Sequence, residues 1–148
     1  MKLLIPVMLL SFFNFFNDNL DKCNGFEKYK FGTSEKLYKN LTLEIEEEDI
    51  QLYTVNSNNL NIINEVQFEY IRVTFNKNKL SAIALSTKDK TGSTFFKYLK
   101  NNYGNPIKIK NTYEWLGKNV RIVYEPYKKS EDGIIDFYSR EARTLKNK

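Results

Sequence analysis

The chain has 148 residues, 41% hydrophobic and 15% aromatic, with 23 Lys+Arg against 18 Asp+Glu for a formal charge of +5. It has no histidine and a single cysteine, which excludes a His-dependent catalytic triad, a histidine zinc site and any disulfide within the chain. The positive excess is modest and spread out, with Lys and Asn frequent throughout as the codon bias of an AT-rich genome would dictate, so no nucleic-acid partner is read from it.

Met1 and Lys2 precede an apolar run over residues 3–16 that only Ser11 and Asn14 interrupt. This is the n-region and h-region pattern of a secretory signal, and it is shorter than the roughly 20 apolar residues that span a bilayer. Residues 1–17 are therefore read as a signal peptide, and the chain as secreted or periplasmic. No Ala-x-Ala site is present, and Phe12, Phe13, Phe15 and Phe16 stand where small residues are favoured, which leaves an uncleaved membrane tether open. Residues 18–25 read as a linker. Cys23 follows the large charged Lys22, an approach unsuited to lipidation, and reads as an inert thiol in a flexible segment or as half of an intermolecular disulfide.

Phe26, Tyr29 and Phe31 make a short aromatic segment. Thr33 and Ser34 suit a helix N-cap, and Glu35 suits the first turn. Leu37, Tyr38 and Leu41 would share one face of a two-turn helix. From Leu41 the period becomes two: Leu41, Leu43 and Ile45 alternate with polar residues, an acidic break follows over 46–49, and Ile50, Leu52 and Thr54 resume. Residues 60–63 fit a short strand after an Asn-rich turn. Val66, Phe68 and Tyr70 alternate, then Ile71, Val73 and Phe75 do so in shifted phase, which predicts a bulge near Tyr70. Residues 76–79 form a hairpin turn and 80–85 the returning strand.

Ser93 or Thr94 opens the clearest helix, with Phe95, Leu99 and Tyr103 in one stripe beside Phe96; Gly104 and Pro106 end it. Ile107 and Ile109 alternate with lysines. Tyr113 and Trp115 share a strand face, 117–119 turn, and Val120, Ile122 and Tyr124 run back. Residues 134–138 form the last strand, and 140–148 a basic tail. The predicted fold is α+β: one antiparallel sheet of about six to eight strands with two helices covering one face, after the N-terminal signal segment. Residues 26–139 form the single domain.

Two stretches carry a family resemblance: Phe31-Gly32-Thr33-Ser34 at one helix start and Tyr103-Gly104-Asn105-Pro106 at the other helix end. With the repeated order of helix then strands, they make the chain resemble small exported modules of the SmpA/OmlA type and the modules of beta-lactamase inhibitory protein. It is also similar to the small secreted proteins common in Bacteroidetes. Asn40-Leu41-Thr42 departs from the pattern by replacing a Gly-Pro stop. The resemblance implies a helical segment on an antiparallel sheet and a role in holding other proteins.

The chemistry present is sparse. Residues 90–94 lack the spacing of a phosphate-binding loop, and the acidic cluster over 44–49 matches no calcium loop and reads as a solvated hairpin tip. Tyr113, Trp115, Tyr124 and Tyr127 are the candidate binding residues, since Tyr and Trp lead among interface hot spots; packing in the core is the competing reading. The expected function is that of an exported, non-enzymatic binding domain. Its partner would be another protein at the cell envelope, met on the sheet face free of helices, with no cofactor and no metal. Two alternatives remain: a secreted hydrolase using Glu114, Glu125 and Asp136, or a module for glycans or anionic surfaces such as the envelope itself.

Overall fold

The computed structural model describes residues 16–56, 65–89, 91–126 and 134–141. Residues 1–15 of the signal peptide expected over 1–17, the short strand expected over 60–63, Tyr127 and the tail beyond residue 141 lie outside them. The fold is α+β. Eight strands form one fully antiparallel sheet in the order β3 (Leu41–Glu47), β4 (Ile50–Val55), β5 (Phe68–Asn76), β6 (Lys79–Thr87), β10 (Ile135–Ser139), β9 (Val120–Tyr124), β8 (Thr112–Leu116), β7 (Ile107–Ile109), and a two-stranded hairpin and two helices accompany it.

Residues 18–25 are not a linker. Helix α1 spans Asp18–Cys23. The Asn17 side chain accepts from the Leu20 N–H, Asn24 ends the helix in a left-handed turn, and Leu20 is fully buried. Cys23 is half-buried in its last turn, beside Tyr103. Strands β1 (Gly25–Phe26) and β2 (Tyr29–Lys30) follow as a tight hairpin. At Gly25, φ is +136° and a Cβ would lie 2.1 Å from the Tyr29 carbonyl oxygen, so only glycine fits.

The two-turn helix expected after Thr33 is instead a single 3-10 turn at Glu35–Leu37. Leu37 is 71% exposed, while Leu41 opens β3 and pairs with Val55 of β4. Sheet pairing takes the residue the helix would have needed. Strands β3 (Leu41–Glu47), β4 (Ile50–Val55), β5 (Phe68–Asn76) and β6 (Lys79–Thr87) form the first meander. The phase change in β5 is a register shift between Phe68 and Tyr70. Lys77 and Asn78 both take positive φ in the β5–β6 turn, the twist that suits a two-residue hairpin loop.

Helix α2 (Ser93–Tyr103) has the predicted stripe, with Phe95 and Leu99 fully buried. Neither Ser93 nor Thr94 caps it. The Asp89 carboxylate does so, accepting from the Gly92 N–H at 2.6 Å and the Thr94 N–H at 3.4 Å. Burial alone would raise the Asp89 pKa, but hydrogen bonds from Thr87, Gly92 and Thr94 hold it below the ordinary value. Strands β7 (Ile107–Ile109), β8 (Thr112–Leu116), β9 (Val120–Tyr124) and β10 (Ile135–Ser139) form the second meander.

The chain thus repeats one plan: a helical segment, then four antiparallel strands. The last strands of the two meanders, β6 and β10, pair at the centre of the sheet. Both helices, the hairpin and the 3-10 turn cover one face. Phe26 of the hairpin is the hub, with ring centroids 5.9 Å from Phe68, 5.6 Å from Phe95 and 5.4 Å from Phe137.

Candidate binding surface

Strand alternation assigns every side chain of the sheet to the covered face or to the opposite, open face. Tyr113, Trp115 and Tyr124 lie on the covered face. Phe96 of α2 packs against all three, with centroids 5.1, 5.7 and 4.8 Å away. Trp115 is 2% exposed and its indole N–H donates to the Gly104 carbonyl at 2.8 Å. Tyr124 is buried, and its hydroxyl donates to the Thr91 carbonyl at 2.6 Å. Tyr113 is half-buried, with the Lys108 ammonium 5.6 Å from its ring. These three residues make the core under α2, and the open face is built from others.

The cross-strand registers place Glu114, Val123, Asp136, Ala84, Arg72 and Thr54 in one row across the open face. A parallel row holds Leu116, Arg121, Tyr138, Ala82, Thr74 and Leu52. Small side chains of β6 therefore occupy the middle, with Tyr138 on one side and Tyr70 and Arg72 on the other. Tyr138 is 38% exposed. The Arg72 guanidinium lies 4.6 Å from the Tyr70 ring centroid, within cation–π range, and pairs with Glu44 at 3.2 Å. Arg121 holds Glu114 in a two-point ion pair at 2.8 and 2.5 Å. Both arginines are thus fixed in place and their charge is matched on the face itself.

The sequence reading missed Tyr70, Arg72, Arg121 and Tyr138. Their signal was the phase of alternation: Arg72 stands between buried Ile71 and Val73 and Arg121 between buried Val120 and Ile122, while Tyr70 precedes buried Ile71 and Tyr138 follows buried Phe137. Of the three carboxylates, Glu114 and Asp136 share the open face but stand two strands apart with Val123 between them, about 10 Å from backbone to backbone. Glu125 follows β9, its N–H bonded to the Ile134 carbonyl. None of the three lines the surface pocket of about 310 Å³ between the β5–β6 turn and Ser139. Among the described residues no cluster of three metal-ligating side chains occurs. No described helix is long and apolar enough to cross a membrane.

No protein-family model, curated protein or solved structure matches the chain.

Proposed function

We propose that this chain is an exported, non-enzymatic binding domain that engages another protein at the cell envelope through the open face of its sheet. One observation carries the reading. The face turned away from both helices bears Tyr70, Arg72, Arg121 and Tyr138 around the small residues Ala82 and Ala84, with Tyr138 38% exposed. Tyr and Arg are the side chains that most often dominate protein interfaces. Strands also hold such groups more rigidly than loops do, which lowers the ordering cost of binding.

A protein partner suits this face better than an anionic surface, because Arg72 and Arg121 are already neutralised by Glu44 and Glu114. The doubled plan of helix and meander supports the resemblance to exported modules that hold other proteins. Export itself rests on the apolar leader over residues 3–16.

The test is site-directed photo-crosslinking in the source cells. A photoreactive residue at Tyr138 or Ala84 should give one discrete protein adduct, and one at exposed Lys97 on α2 should give none. Tyr138→Ala with Arg72→Ala should abolish the Ala84 adduct while the variant melts cooperatively. Equal adducts from Lys97 and Ala84, or an adduct indifferent to the double substitution, would overturn the assignment.

A further inference from the structure

The two outer strands of the sheet carry opposite charge. At one edge β3 runs into Glu46, Glu47, Glu48 and Asp49; at the other β7 carries Lys108, followed by Lys110. Both strands are exposed, β3 throughout except at Leu41 and β7 along its whole length. An edge strand presents a row of backbone N–H and C=O groups ready to pair with another strand. The exposed apolar residues match as well. Ile45 is 48% exposed, Ile107 46% and Ile109 44%, and all three sit on the open face.

The geometry points to head-to-tail association of this chain with a second copy, the acidic β3 of one pairing with the basic β7 of the next to continue the sheet. Eight antiparallel strands leave the two edges running in opposite directions, so a copy placed alongside in the same orientation meets the first antiparallel. Matching open face to open face fixes the register: Ile45 opposite Ile109, Glu46 opposite Lys108, and Glu47 opposite Ile107. Two-fold pairing of β3 with β3, or of β7 with β7, would set like charges directly across from each other, which is unfavourable. The contact is heterologous and does not close on itself. Three residues of β7 make a small interface, so the association is weak. It is independent of the role proposed for the open face.

Directed disulfide formation tests it in the full chain. Ile45→Cys and Ile109→Cys are placed in separate chains, each with Cys23→Ser, then mixed and oxidised. Facing residues in an antiparallel pair lie about 4.5–5.5 Å apart, within disulfide reach. The expected product is a heterodimer with a 45–109 linkage identified by peptide mass spectrometry. Lys108→Glu in the second chain should lower its yield about tenfold, and Glu46→Lys in the first should restore it. Homodimers through 45–45 or 109–109, no disulfide at 1 mM, or a yield unmoved by the charge reversal in chains that keep the parent melting temperature would overturn the inference.

Discussion

The two halves of the molecule share a plan and differ in how the plan is carried out. The second half contributes one eleven-residue helix, α2, whose stripe sets Phe95 on Phe68 of β5 and Phe96 on Trp115 of β8. The first half contributes its cover in pieces: α1, the β1–β2 hairpin and a 3-10 turn. Those pieces do not stay on their own meander. Asn17 donates its N–H to the Leu116 carbonyl and its side-chain amide to the Tyr103 carbonyl. The Asp21 carboxylate accepts from the N–H groups of Lys118, Asn119 and Val120 at 2.6, 2.7 and 3.1 Å. The start of the first half thus clamps the β8–β9 turn of the second. A repeat built this way cannot be cut into two independent modules, because each half supplies part of the other's cover.

The largest break in that arrangement is Phe26→Ala. Phe26 touches Phe68 of the first half and Phe95 and Phe137 of the second. Its loss should cost about 3–5 kcal/mol in denaturant unfolding, with both halves melting together. A second, separate transition would show that the halves are more autonomous than the clamp implies. Asp21→Ala should cost less, about 2 kcal/mol, for three hydrogen bonds to a carboxylate at a partly exposed site. Its signature is local: amide exchange at residues 118–120 should speed up more than exchange in β5 or β6. Gly117 records how tight the clamp is, since a Cβ there would meet the Asp21 carboxylate oxygen at 2.4 Å.

The same contrast explains what could be read from the sequence. Helix α2 was legible because its stripe, its Gly104 stop and Pro106 lie within one short window. The meanders were legible from alternation and turn residues, and the bulge in β5 fell one residue from its expected place. Helix α1 was not legible. It has one buried apolar residue, Leu20, and the groups that hold its Asp21 lie 97 to 99 residues away. Only the caps Asn17 and Asn24 signalled it locally. The candidate site failed for a related reason. Alternation tells that Tyr113 and Trp115 share a face, but which face is set by where Phe96 docks, a long-range fact. Tyr138 and Arg72 were left on the other face by that same choice.

The smallest expected effect sharpens the contrast between the two covers at a single atom. Tyr124, under α2, is buried with its hydroxyl bonded to the Thr91 carbonyl, whereas Tyr29, in the piecewise cover of the first half, is buried with no hydrogen-bond partner for its hydroxyl among the described residues. Removing a bonded hydroxyl leaves its acceptor unsatisfied; removing an unbonded one relieves a desolvated polar atom. Tyr124→Phe should therefore cost about 1 kcal/mol, and Tyr29→Phe should be neutral or slightly stabilising at neutral pH. Alkaline titration adds a second readout. Burial, with a smaller contribution from Tyr38, pushes the Tyr29 phenol from its ordinary 10.0 to about 12. A phenol kept neutral by the fold contributes stability that is complete below pH 10 and is lost as the pH rises through about 12. The parent chain should lose stability more steeply than Tyr29→Phe across that window in urea unfolding followed by circular dichroism. Parallel curves would mean that the Tyr29 hydroxyl reaches water, and that the first half's cover is looser than the second's.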